Sequence, residues 1–294
     1  MHEHEQDALA EEQMPAIRNR LSKAIESATG HPPTDVSFVC CNEQHNLMIY
    51  IGLGGNNTAK ISLLPPPKGS NCLTEQAISL YDQAMDAVHN AAEKGDVGED
   101  DSHGYALAHN PTLRAKQLAM HKYAVTHVRV VKLALRDYGK PEHRRAAAEI
   151  LGYATESETQ IKELVHASRD MDDQVRNNAI RALWVLATSK RKIAARIPAD
   201  QSIAMLNSGI WEDRNKAGQL LMVLTASRSP QLLVRLRTQA LRSLIEMARW
   251  KDQGHAYAYR AMLGRIAGFD EAHIEELIQK GKVDEIVAAA ENRH

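Results

Sequence analysis

Aromatic side chains are scarce: two Phe, three Trp and eight Tyr in 294 residues. A groove that stacks successive bases needs several rings close together, so this supply argues against such a platform. Cysteine is scarcer still, at three, and Cys40 and Cys41 are adjacent. Adjacent cysteines bridge each other only with strain, and an odd count leaves one over. A disulfide framework is therefore not expected, and there is no CxxC pair to hold zinc. Cys40 and Cys41 lie in an apolar stretch and read as inert buried thiols. No run reaches the roughly 18–20 apolar residues that span a bilayer. The amino terminus, Met1-His2-Glu3-His4-Glu5-Gln6-Asp7, is acidic where a secretory signal is basic and then apolar. The expectation is a cytoplasmic protein with reduced thiols; export would require a signal removed ahead of Met1. No GxSxG elbow, HExxH pair or reactive-cysteine signature occurs.

Charge is abundant and unevenly placed. The net charge is −1. Residues 1–113 carry −10, residues 114–196 carry +8, residues 197–265 carry +5 and residues 266–294 carry −4. An acidic head and tail bracket a basic middle. Such segregation points to an anionic partner, or to arginines that pair internally with neighbouring acids.

The hydrophobic period changes along the chain. Leu9, Met14, Ile17, Leu21 and Ile25 recur at helical steps and predict a helix over 5–28, stopped by His31-Pro32-Pro33. Residues 36–41, 47–53 and 58–64 read as strands. Gly54-Gly55-Asn56-Asn57 supplies a tight hairpin between the last two. From Leu73 onward the pattern is helical almost to the end, broken by Gly, Pro, Asp and Ser.

Within that region the sequence repeats. His143-Arg144-Arg145-Ala146-Ala147-Ala148-Glu149 aligns with Val175-Arg176-Asn177-Asn178-Ala179-Ile180-Arg181 and with Asp213-Arg214-Asn215-Lys216-Ala217-Gly218-Gln219. Offsets in the thirties suit stacked helical pairs. A small residue at the recurring alanine lets one helix approach the next. The preceding acids favour the positive end of the helix dipole. Arg144, Ala147, Asp172, Arg176, Ala179, Arg214 and Ala217 form this signature.

These residues resemble HEAT repeats, in particular the short bacterial type called PBS-lyase HEAT-like. The resemblance is good over about 141–226, loose over 110–140 and 227–268, and absent from the first 73 residues. It implies a mainly α fold, an α-solenoid. The three strand-like runs before residue 65 place ahead of it a small N-terminal α+β head with a three-stranded antiparallel meander. The expected division is 1–73 for the helix and meander, 74–109 for a linking helix and acidic loop, 110–268 for the solenoid, and 269–294 for C-terminal capping helices and tail. Uncharacterised bacterial HEAT-repeat proteins, which the chain also resembles, imply no transferable activity.

Candidate site residues follow from charge and motif. Glu99-Asp100-Asp101-Ser102-His103 with His109 is the densest acid/His cluster, but its spacing reads as an acidic loop rather than a metal site. His121 and His127 are six apart and face different ways. Lys190, Arg191, Lys192 and Arg196 form the sharpest basic cluster and a candidate partner-binding patch. Trp184, Trp211, Asp213 and Arg214 could imitate the nucleotide-holding set of HEAT-like DNA glycosylases. The favoured reading is a non-catalytic scaffold for a protein or peptide. It uses no cofactor or metal and offers the concave face of the repeat. Nucleic-acid binding or glycosylase chemistry is the alternative.

Overall fold

The computed structural model describes residues 13–39, 47–54 and 61–293. The chain divides into two compact units, Met1–Thr58 with Ser208–Trp211, and Ala59–Asn207 with Glu212–His294.

The smaller unit holds α1 (Met14–Thr29) and the strands β1 (Asp35–Val39) and β2 (Met48–Gly52). Gly30 ends α1 in the left-handed conformation at φ 77°, which glycine adopts without penalty. The strands pair antiparallel, Asp35 opposite Gly52 and Val39 opposite Met48. Val36, Val39 and Tyr50 are buried. Arg18 Nε donates to the Val36 carbonyl at 2.9 Å, and its guanidinium lies 5.7 Å from the Phe38 ring centre. The Ser208–Trp211 segment completes the unit. The Trp211 N–H donates to Asp35 Oδ2 at 2.9 Å, and Thr34 Oγ1 donates to the Gly209 carbonyl at 3.0 Å. A Cβ on Gly52 would lie 1.7 Å from that carbonyl oxygen, so only glycine fits there.

The three-stranded meander is corrected to a strand pair. Residues 55–60, with most of the expected hairpin and the start of the third strand, lie outside the described residues. Residues 61–64 form no strand and belong to the larger unit. The Leu64 N–H donates to the Arg169 carbonyl at 2.8 Å, and Arg169 donates back to Ser62 through Nε and Nη2. Pro65-Pro66-Pro67 then removes three consecutive N–H donors, which a ladder cannot spare. The alternation that suggested a strand marks an extended strap satisfied by one arginine. Cys40 and Cys41 fall outside the described residues, and Cys72 is an exposed free thiol.

The larger unit is mainly helical. It begins with α2 (Glu75–Glu93), the short strands β3 (Glu99–Asp100) and β4 (Leu107–Ala108), and α3 (Pro111–Asp137). Then come α4 (Pro141–Gly152), α5 (Glu158–Ala167), α6 (Asp173–Ser189), α7 (Arg191–Ala194), α8 (Asp200–Leu206) and α9 (Trp211–Thr225). The unit closes with α10 (Pro230–Ala248), α11 (Gln253–Ala267), α12 (Glu271–Gln279) and α13 (Val283–Asn292). The β3–β4 hairpin and α7 carry no period long enough to be read from sequence. Helices pack as neighbours in series: α3 on α4, α4 on α6, α5 on α6, α8 on α10, α10 on α11, and α11 on α13. None of the described helices is long and apolar enough to cross a membrane.

The repeat signature is a packing device. Ala147, Ala179 and Ala217 are each 0% exposed, so no larger side chain has room. A Cβ on Gly152 would stand 2.9 Å from Ala182 Cβ, which measures how closely α4 and α6 approach. The arginines repeat one another's chemistry. Arg144 Nη1 donates to the carbonyls of Tyr138 and Gly139 at 3.0 Å, while Nε and Nη2 clasp Asp170 at 2.7 and 2.8 Å. Arg176 does the same with the carbonyls of Asp170 and Met171 at 2.9 and 3.0 Å, and with Asp213 at 2.7 and 2.9 Å. In both, the guanidinium folds back on the turn five and six residues before it. Its remaining edge reaches an acid of the next repeat. Five fixed donors in a planar fork make arginine the residue for this task. Arg214 varies the theme, donating to Glu246 and to the Ser243 carbonyl at 3.1 Å.

Asp172 joins two jobs. Its Oδ1 accepts the Val175 N–H at 3.0 Å as the N-cap of α6, and both oxygens accept from Arg145 at 2.8 and 2.6 Å. Asp172→Ala is expected to lower unfolding free energy by about 1–2 kcal/mol, the usual range for a lost cap. Urea unfolding followed by circular dichroism checks this, and Asp172→Asn should recover most of the cap.

Candidate functional site

The larger unit contains a cavity of about 290 Å³. One wall is apolar: Ala84, Met85, Val88 and Ala91 from α2, with Leu113 and Met120 from α3. The opposite side is polar and ionisable. It takes Glu99 from β3, Glu149 from α4 and Tyr153 from the residue that ends it, Asn177, Asn178 and Arg181 from α6, and Lys216 from α9.

The repeat explains why these residues meet. Glu149 and Arg181 occupy the same repeat position, two beyond Ala147 and Ala179. Asn178 and Lys216 share another, one before Ala179 and Ala217. The two positions are three residues apart and therefore lie on one helix face. Stacking α4, α6 and α9 places that face of each helix side by side.

Arg181 is the centre of the charged side. Nη2 donates to both Glu99 oxygens at 2.7 and 2.6 Å, and Nη1 stands 3.6 Å from Glu149 Oε1. Burial alone would lower the Arg181 pKa, but Glu149 and Glu99 together raise it, so the guanidinium stays charged. Glu99 also accepts from Gln117 Nε2 at 3.0 Å, and Gln117 Oε1 accepts the Ala108 N–H at 2.6 Å. That chain of contacts fixes the β3–β4 hairpin against α3 and α6.

The other groups are less well matched. Burial raises the Glu149 pKa, and the nearby Arg181 only partly offsets it. Burial also raises the Tyr153 pKa, with Glu149 adding to the shift, so the phenol keeps its proton. Lys216 has no hydrogen-bond or ion-pair partner among the described residues. Burial and then repulsion from Arg181 pull its pKa down to about 8, outweighing Glu149, Glu99 and Glu212. The cavity thus presents a lone amine, a carboxyl inclined to hold a proton and an apolar wall. Its lining includes no serine, threonine or cysteine. The arrangement suits binding through charge and apolar contact.

The residues singled out by sequence fall elsewhere. Lys190 pairs with Glu156 at 2.5 Å and Arg196 with Glu158 at 3.5 Å; Arg191 and Lys192 are exposed on α7. Asp213 is 0% exposed in its clasp with Arg176, and Arg214 is buried. Trp211 is buried, its ring centre 5.4 Å from that of Tyr50, and Trp184 is half-buried on α6. Trp211, Asp213 and Arg214 are each buried, so none of the three offers an open side chain to a nucleotide. The acidic loop is divided as well. Glu99 faces Arg181, Asp100 accepts the Ser102 N–H at 2.9 Å and stands 3.6 Å from His103 Nε2, and His109 lies against Gly98. His121 Nδ1 donates to the Tyr153 carbonyl at 2.7 Å, whereas His127 Nδ1 contacts Thr126 and the Tyr123 carbonyl at a kink in α3.

Comparison with known proteins adds little to this geometry. No family model matches the chain, and no curated protein matches it. Among solved structures, computationally designed armadillo repeat proteins for modular peptide recognition align with 73% of this chain and 98% of theirs. The identity is 12% and the TM-score 0.42. The helical-repeat architecture rests on the chain's own recurring contacts.

Proposed function

We propose that the protein is a non-catalytic scaffold of HEAT-type repeats that holds a protein or peptide partner. The contact face is the one built by α4, α6 and α9, with the 290 Å³ cavity as its anchoring pocket. The observation that supports this reading is an apolar wall set directly against ionisable groups. Anchors of a binding face are side chains desolvated in such pockets, and repeat helices offer neighbouring surface to extend the contact. The basic turn at Lys190 to Arg196 is a weaker candidate because two of its four charges already have acidic partners.

The test is selection from a random peptide display library on the full chain, then affinity measurement against Val88→Trp. Val88 is 41% exposed at the cavity wall, so an indole there narrows the pocket without touching the core. Enriched peptides are expected to lose at least about tenfold in affinity on the variant, or about 1.4 kcal/mol. Charge reversal of Lys190, Arg191 and Lys192 should leave them bound. Failure to enrich any peptide, or equal binding to Val88→Trp, removes the proposal.

A further inference from the structure

We propose that the cavity captures a free carboxylate from the C-terminus of a chain ending in an apolar residue, with the Lys216 ammonium as its counter-charge. The inference rests on reading the α4–α6–α9 face as a binding face and names the group it takes.

Three observations carry it. The first is that Lys216 lacks a partner among the described residues while it lines an open cavity. Lys216 is half-buried, with Arg181 repelling it and no carboxylate of the described residues within ion-pair distance, and a bound carboxylate supplies that close counter-charge. The second is the state of the neighbouring acids. Glu99 is saturated by Arg181 and Gln117, and Asp96 accepts from Asn110 Nδ2 at 2.9 Å. Glu149 accepts no hydrogen bond from the described residues, stands 3.6 Å from Arg181 Nη1, and has its pKa raised by burial; when it takes up a proton it donates to an incoming carboxylate rather than repelling it. The third is the apolar wall of Ala84, Met85, Val88, Leu113 and Met120. An acidic side chain inside a peptide brings only one or two methylenes to such a wall. A terminal Leu or Met brings a carboxylate and a whole apolar side chain together, which suits capture of a chain end.

A proton signature follows. The charged and titratable groups facing Lys216 are Arg181 on α6, Glu149 on α4, Tyr153 just past its end, Glu99 on β3, Glu212 on its own helix and His255 on α11. A carboxylate among them favours protonated Lys216 and protonated Glu149, so binding takes up protons. Affinity is expected to fall about tenfold from about pH 7 to about pH 9. An amine ligand would bind ionised Glu149 and show the opposite trend.

The experiment reads Lys216 directly on the full chain. The protein is treated with limiting acetic anhydride, and acylation of each lysine is followed by mass spectrometry. Three probes are compared: the tripeptide acid N-acetyl-Ala-Ala-Leu, its C-terminal amide, and hexanoate. The acid is expected to slow acylation of Lys216 about tenfold at saturation. The amide should have no effect, and other lysines should not change. Equal protection by the amide, or none by the acid or hexanoate, overturns the inference. Protection by hexanoate alone overturns the chain-end assignment. Display-selected peptides that bind without shielding Lys216 would sink this inference and leave the scaffold reading standing. Protection by the acid with no peptide ever selected would do the reverse.

Discussion

Asp213→Ala is expected to lower the unfolding free energy by about 3–5 kcal/mol, the range for breaking a buried ion pair from one side. Asp213 is 0% exposed and Arg176 is 1% exposed. Removing the carboxylate strands a guanidinium that water cannot reach. Its two carbonyl contacts, to Asp170 and Met171, satisfy one nitrogen and leave the other edge bare. The loss reaches beyond one pair, because the same arginine holds the turn before α6 against the next repeat. Urea unfolding by circular dichroism measures the effect. Replacing both partners, Arg176→Met with Asp213→Leu, should recover most of the loss, since an apolar pair of similar volume removes the desolvation penalty. A loss below about 1 kcal/mol in the single variant would place the pair among surface salt bridges and contradict its burial.

Arg181→Met should act on both stability and protonation. Arg181 is one-fifth exposed and is the cation nearest both Glu99 and Glu149. Its loss leaves two carboxylates near each other in a partly buried site, at a cost of about 3 kcal/mol. The sign with pH is definite. The folded-state pKa of Glu149 already lies above its ordinary value, and loss of Arg181 raises it further. The folded chain then binds more protons than the unfolded chain, so stability falls as pH rises through that interval. The variant should therefore be closer to wild type at about pH 5 than at about pH 8. Lys216 moves the opposite way from its present shift. Freed from Arg181, its pKa should climb above about 8, and its acylation at neutral pH should slow. Unfolding curves at both pH values, with the labelling rate of Lys216, test the two consequences separately.

Much of the helical unit is legible in the sequence. Helical spacing, the breaks at Gly, Pro, Asp and Ser, and the acids ahead of the recurring alanines are local signals, and helices begin beside them, α3 at Pro111, α4 at Pro141, α6 after Asp172 and α10 at Pro230. The recurrence of Ala147, Ala179 and Ala217 was also visible, and all three are completely buried. Residues 58–64 were misread because alternation is common to a strand and to an extended strap. Only the partner distinguishes the two, and the described part of that segment uses Arg169 and Ser62 rather than a neighbouring strand. The site was missed for a related reason. Glu149, Arg181 and Lys216 look like surface charges in a helical sequence. The aligned repeats held the clue, since Glu149 and Arg181 share one position and Asn178 and Lys216 share another.

By itself, then, the amino-acid order determined the helices, their caps and the repeat that stacks them. Those features depend on residues within a few positions of one another, or on a period that is counted directly. Which charges are paired and which stand alone was decided only by tertiary structure. Arg176 and Lys216 are both cations on repeat helices. One meets Asp213, thirty-seven residues away, and the other meets a cavity. Coulomb attraction and desolvation depend on distance in space, and no count along the chain supplies that distance.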